Sequence, residues 1–247
     1  MSVNRRKFVT LAAAALAAPA ALAATRPTKA IAFDGFPITD PRPVFAKVEE
    51  LFPGKGRALS EAWRTRLFEY TWLRTLGRHY VDFWHVTEEA LTFAAKASGI
   101  ELAADQRYTL MQTWLSLTAW PDVAPALKEL KAAGIRMAFL ANLTETMMDA
   151  VVKNSGIEGF FEPHLSTDRV EAFKPDPRAY QMGPDAFKLP KEEIAFAAFA
   201  GWDAAGAKWF GYPTFWVNRM NTPVEELGVV PDGVGTGMAD LVKFVLG

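Results

Sequence analysis

The chain has 247 residues, 50% of them hydrophobic and 22% charged, with 27 basic against 28 acidic side chains, three histidines and no cysteine. This is the composition of a soluble globular protein, and the missing cysteine removes disulfides, thiolate nucleophiles and sulfur-ligated zinc, while His79, His85 and His164 alone point away from a multi-histidine metal site. The balanced charge argues against a nucleic-acid partner, whose phosphates call for a clustered excess of Lys and Arg, so the expected partner is a small molecule.

At the start of the chain, Arg5, Arg6 and Lys7 precede an uncharged Ala- and Leu-rich run from Thr10 to Ala24 that contains Ala21-Leu22-Ala23. The pattern looks like a twin-arginine export signal over residues 1–23, cleaved after Ala23. The run is too short and alanine-rich for a membrane span, which needs about 20 strongly apolar residues. Cleavage would remove three cations and no anions, leaving 24 basic against 28 acidic groups. The expected location is therefore the periplasm, reached through the twin-arginine translocation machinery.

Short apolar runs then alternate with helical stretches. Lys29 to Asp34 reads as a buried strand ending on a carboxylate, and Arg136 to Asn142 as one ending on an amide; Ile194–Ala200 and Thr214–Asn218 have the same character. Helical patterns run from Val123 to Ala133, Glu145 to Ser155 and Asp203 to Phe210, and each is followed by a glycine stop, Gly134, Gly156 and Gly211. Apolar strands separated by helices predict an α/β fold, a Rossmann-like parallel sheet covered on both faces. Ligands in such sheets bind at the carboxyl ends of the strands, where Asp34, Asn142 and the segment after Ala200 fall.

From about Pro41 to Thr118 the alternation stops. This stretch offers helical patterns and no strand, and Trp63, Phe68, Tyr70, Trp72, Tyr80, Phe83 and Trp84 crowd into it. It reads as an inserted helical cap subdomain over 41–118, with 24–40 and 119–247 forming the core domain. Most of the rings serve to pack the cap; the cap itself is placed to close over the strand ends and exclude water.

Phe33-Asp34, Trp63-Arg64, the segment Glu69 to Arg74, Lys174-Pro175-Asp176 with Tyr180, and Trp202-Asp203 with Gly206 resemble the type II (S)-2-haloacid dehalogenases of the haloacid dehalogenase superfamily. The resemblance covers essentially the whole chain after the signal. It implies cofactor-free, metal-free hydrolysis of short 2-haloacids through an aspartyl ester, and usually a homodimer. In this reading Asp34 is the nucleophile, Lys174 holds it ionised and oriented, and Asp203 polarises the hydrolytic water. Arg64 binds the leaving halide or the substrate carboxylate. Tyr180 donates a hydrogen bond to that carboxylate, Asn142 lies on the halide side, and Phe36, Phe68, Phe83 and Trp202 form apolar walls. Superfamily phosphatases carry a second Asp two residues beyond the nucleophile; here Phe36 stands there, which disfavours phosphoryl transfer.

Several polar groups of the family pattern are missing. The Tyr-Gly-Thr loop is Phe36-Pro37-Ile38, the serine before Asn142 is Ala141, and Ser-Ser-Asn before the Trp-Asp pair is Ala198-Phe199-Ala200. The sequence thus supports alkylation of Asp34 better than rapid ester hydrolysis. A weakly active or non-enzymatic binder of small carboxylates on the same fold is the alternative.

Overall fold

A computed structural model of the chain describes residues 27–247, so the export signal, its cleavage point and residues 24–26 lie outside the described residues. The chain opens with β1 (Ala30–Phe33) and the short α1 (Gly35–Ile38). Four helices follow: α2 (Arg42–Leu51), α3 (Gly56–Gly77), α4 (Phe83–Ala97) and α5 (Ala104–Leu115). Then come α6 (Val123–Ala132), β2 (Arg136–Ala141), α7 (Glu145–Ser155), β3 (Leu165–Ser166) and α8 (Pro177–Phe187). The chain closes with β4 (Ile194–Ala198), α9 (Gly201–Phe210), β5 (Thr214–Val217), β6 (Gly233–Gly235) and α10 (Met238–Leu246).

The strands form one parallel sheet in the order β3-β2-β1-β4-β5-β6, as the alternating sequence pattern predicts. Successive side chains of a strand point to opposite faces. Ile31, Phe33, Met137, Phe139 and Phe215 therefore join one core, while Ala30, Ala32, Leu140, Phe196 and Trp216 join the other. Both faces are covered, which is why these strands are apolar throughout. From β1 the chain builds outward to β2 and β3, then returns across the sheet to β4. The direction of winding thus reverses between β1 and β4, and the crevice at the carboxyl ends of these two strands is where this architecture places a ligand.

Sequence and structure differ at the small strands and at some element ends. β3 has two residues and β6 is glycine-flanked, so neither carries an apolar run. At Gly233 a Cβ would lie 2.7 Å from the Phe215 ring, so the tight packing of β6 on β5 requires glycine there. The fourth strand ends at Ala198 rather than Ala200, which frees Phe199 and Ala200 to turn into α9. Gly156 and Gly211 end α7 and α9 in the left-handed conformation, with φ of 62° and 106°.

The four helices α2 to α5 leave and rejoin the core at one point. The Asp40 N–H donates to Thr118 O and the Trp120 N–H to Ile38 O, both at 2.9 Å, so the two connecting strands of chain are stapled together. Trp63 and Phe83 are fully buried between the helices, and the Trp63 indole N–H donates to Thr87 O at 2.8 Å. A second attachment lies on the far side. Thr75 Oγ1 accepts the Phe173 N–H at 3.0 Å, the Tyr80 ring packs on Phe173 with centroids 4.7 Å apart, and the Tyr80 hydroxyl donates to Asp168. The helical layer is therefore fastened to the loop that carries Lys174.

Candidate active site

Asp34 ends β1 and caps α1. Its N–H continues the sheet ladder to Ala197 O at 3.0 Å, and its Oδ2 accepts the Phe36 N–H at 3.2 Å. The backbone thus fixes the carboxylate at the mouth of the crevice, where its side chain keeps 11% exposure. The other oxygen, Oδ1, accepts from Lys174 Nζ at 2.8 Å.

Lys174 is completely buried and reaches Asp34 from the loop before α8. Its backbone N–H is held by Asn142 Oδ1 at 3.0 Å, at the end of β2. Its ammonium also donates to Asp203 Oδ2 at 2.6 Å and sits 5.0 Å from the centre of the Phe196 ring. Asp203 lies in the first turn of α9, where the helix dipole favours a negative charge. Its other oxygen accepts the Tyr180 hydroxyl at 2.7 Å, and Tyr180 in turn is anchored by the Tyr212 hydroxyl, which donates to Tyr180 O at 2.6 Å. Gly206 makes this approach possible, since a Cβ there would lie 2.4 Å from the Tyr180 hydroxyl.

One cation therefore serves two carboxylates. Burial works to discharge Lys174, but the charges of Asp203 and Asp34 outweigh it and hold the ammonium above its usual pKa. Burial pushes the Asp203 carboxyl up to about 6, against the pull of Lys174 and with Asp34 adding repulsion. The excess charge of the cluster thus rests on the carboxylates, and Asp203 takes up a proton as the pH falls towards 6. Among the described residues no group of three His, Asp or Glu side chains is placed to hold a metal ion. The Lys174 ammonium itself occupies the place between the two carboxylates that a bridging cation would take.

Asp34, Lys174, Asp203, Tyr180 and Asn142 thus meet in one hydrogen-bonded network. Four sequence expectations need correction. The Tyr180 hydroxyl does not face a substrate carboxylate: the residue is fully buried and its donor is committed to Asp203. Phe83 does not wall the site, because it is buried inside the helical layer against Phe173. Trp202 packs on Phe68 and Trp72, with ring centroids 5.3 and 5.6 Å away, and does not itself line the cavity beside Arg64. Asp203, expected to face the hydrolytic water, is 1% exposed, and both its oxygens already accept hydrogen bonds. Asn142 keeps its amide Nδ2 without a hydrogen bond among the described residues.

Arg64 lies apart from this network. It stands exposed on α3 with no ion pair among the described residues, and it lines a cavity of about 90 Å³ between α2, α3 and α5. Phe36 and Phe68 contribute walls. Sequence reasoning missed Trp63, Trp114 and Trp120 as further walls and recognised Phe199 only as a departure from the family pattern. The Phe36 and Phe199 rings lie 5.8 Å apart where β1 and β4 end. Trp120 fixes Phe36 by donating its indole N–H to Phe36 O at 3.0 Å, and Arg42 and Arg219 both stack on the Trp120 ring. The side chains that replace the family's polar groups are buried hydrocarbon: Ile38, Ala141 and Ala198 are all 0% exposed.

A family model described as a haloacid dehalogenase-like hydrolase matches residues 9–211. The chain is 40% identical to an (S)-2-haloacid dehalogenase of Pseudomonas sp. (strain YL) over 87% of its own length and 94% of the relative's. It is equally, 40%, identical to the haloacetate dehalogenase H-2 of Moraxella sp. (strain B), over 88% of this chain and 97% of that one. Among solved structures, the L-2-haloacid dehalogenase RSc1362 superposes with a TM-score of 0.87 at 40% identity, covering 90% of this chain and all of the other.

Proposed function

Because the chain belongs to the haloacid dehalogenase-like hydrolases, we propose that it hydrolyses the carbon–halogen bond of short (S)-2-haloalkanoic acids through an ester on Asp34, without a metal or cofactor. The observation that carries this reading is the single buried ammonium of Lys174 spanning Asp34 and Asp203. It holds Asp34 in place by a 2.8 Å contact while leaving that carboxylate the more exposed of the two.

In the first step a carboxylate oxygen of Asp34 attacks C2 of the substrate, the C–O bond forms as the carbon–halogen bond breaks, and the halide leaves with the bonding electron pair. Arg64 offers its unpaired guanidinium to the substrate carboxylate, and the free amide of Asn142 offers a donor to the halide. In the second step water adds to the ester carbonyl of Asp34, the bond from that carbon to the substrate oxygen breaks, one water proton passes to the departing oxygen of the 2-hydroxyacid and the other to solvent, and the Asp34 carboxylate is restored. C2 is inverted once.

The test is intact-protein mass after acid quenching during incubation with 2-chloropropanoate. Wild type should gain the mass of the acid residue at Asp34, and Asp34→Asn should gain nothing. No adduct and no halide release from any short 2-haloacid would overturn the reading.

The same proposal places the enzyme in the periplasm. The Arg5-Arg6 pair before the alanine-rich run supports export through the twin-arginine route. The expected mature N-terminus lies within a few residues of Ala24, and an Arg5→Lys, Arg6→Lys double variant should remain in the cytoplasm; normal export of that variant would sink the assignment. A homodimer is supported by Leu73 and Leu76, which stand 60% and 82% exposed on the outer part of α3. Light scattering that reads the monomer mass at working concentration would reject it.

A further inference from the structure

Lys174 delivers its ammonium to Asp34 and Asp203 from a fully buried position, so its contacts depend on where its backbone stands. Two neighbouring amides fix that backbone from opposite sides. The Lys174 N–H is held by Asn142 of the core, whereas the Phe173 N–H is held by Thr75 Oγ1 of the helical layer. The Phe173 carbonyl accepts the Asp176 N–H at 3.1 Å, which closes the turn around Lys174.

Thr75 is chemically suited to this hold. A threonine within a helix can donate its one hydroxyl proton back to the preceding turn, and Thr75 Oγ1 does so to Thr71 O at 2.9 Å. Its lone pairs stay open for the Phe173 N–H. Tyr80 grips the same residue from the turn after α3. That turn is fastened by Arg74, whose carbonyl accepts the His79 N–H at 3.0 Å and whose guanidinium donates to His79 O at 2.8 Å. Tyr80 is thereby set with its ring on Phe173 and its hydroxyl on Asp168. Both side chains reach the reacting groups only through Phe173 and the loop it belongs to.

We infer that Thr75 and Tyr80 are positioning residues: by gripping Phe173 from the helical layer they seat the Lys174 ammonium on Asp34, so that docking of this layer completes the nucleophile. The inference rests on the dehalogenase reading above. It also ties two parts of the reaction together, because Arg64 and Thr75 stand on one helix about three turns apart. The helix that presents Arg64 is thus the helix that seats Lys174.

The experiment follows formation of the Asp34 ester in single turnover with 2-chloropropanoate, by intact mass after rapid acid quenching over a range of substrate concentrations. Amide hydrogen exchange is read by NMR without substrate. Thr75→Val keeps the side chain's shape and removes the acceptor. It should lower the limiting rate of ester formation about 10²-fold and leave the half-saturating concentration in place, because a misplaced Lys174 disturbs attack and not the hold of Arg64. Thr75→Ser returns the hydroxyl and should bring the rate back to within about threefold of wild type. Tyr80→Phe keeps the ring on Phe173, loses the bond to Asp168 and should slow the step about tenfold. Exchange in Thr75→Val should quicken at least about tenfold at the Phe173 and Lys174 amides alike. Should Thr75→Val not fold, Tyr80→Phe decides, with the same split between rate and half-saturation. An unchanged limiting rate in either folded variant overturns the inference, and so does a loss that serine does not restore or a change in exchange that stops at Phe173. Absence of ester from the wild type removes the dehalogenase reading instead, and exchange at Lys174 then decides whether Thr75 seats it.

Discussion

Replacing Lys174 with methionine is expected to destabilise the fold by about 3–5 kcal/mol near pH 8 and to end carbon–halogen cleavage. Methionine has a similar unbranched length, so the loss arises from charge and not from an emptied volume. Without the ammonium, Asp203 is left 1% exposed with only the Tyr180 hydroxyl for company, and Asp34 faces it with no cation between them. The nearby Asp34 charge and burial, no longer opposed by the ammonium, then raise the Asp203 carboxyl further. The direction with pH follows. A carboxyl whose folded pKa lies above its unfolded value binds more protons in the folded state between those two values, so stability falls as pH rises through that interval. Asp203 already does this in the wild type, from the ordinary carboxyl value of 3.8 up to about 6, and the substitution widens the interval upward. Urea unfolding at pH 5 and pH 8 should therefore show a smaller deficit at pH 5, where a proton takes the place of the missing ammonium. Deficits equal at the two pH values would mean that Lys174 acts through packing alone. Halide release should be lost at both, because the variant no longer holds the Asp34 carboxylate in place.

Much of this arrangement is legible in the sequence, because its parts stand on regular elements. Apolar runs ending on Asp34 and Asn142 put two site residues at strand ends, and the glycine after each helix marks where the chain returns to the sheet. What the residues point at is less legible. Tyr180 stands in the first turn of α8, and only the fold reveals that Gly206 admits its hydroxyl to Asp203 rather than to the crevice. Phe83 and Trp114 both read as aromatic residues of a helical segment. One is buried behind Phe173 and the other faces the cavity, a distinction set by how α4 and α5 are rotated against the core. Arg64 illustrates a different limit. The sequence gives its charge, but that it lacks a carboxylate partner is a property of the folded surface.

The last prediction separates the two chemical steps. Attack on C2 needs a positioned carboxylate and donors for the substrate's negative charges, and Asp34, Lys174, Arg64 and Asn142 supply them. Hydrolysis of the ester needs an oriented water and support for the oxyanion, yet Ile38, Ala141 and Ala198, at positions where the resemblance expects polar groups, are buried hydrocarbon, and Ala200 offers no side-chain donor. Loss of one preorganised oxyanion donor costs about 10² to 10³ in rate in other enzymes, and such losses are not additive. Rapid-quench measurement of halide should accordingly give a burst close to one equivalent per site and then a slower steady rate. Asp34→Asn should abolish the burst. Ala200→Asn should quicken the slow phase about tenfold or more, because Ala200 already has the extended N-cap conformation, φ −89° and ψ 142°, that asparagine adopts without strain. A linear time course would place the slow step before or at alkylation, and a burst that survives in Asp34→Asn would remove Asp34 as the nucleophile.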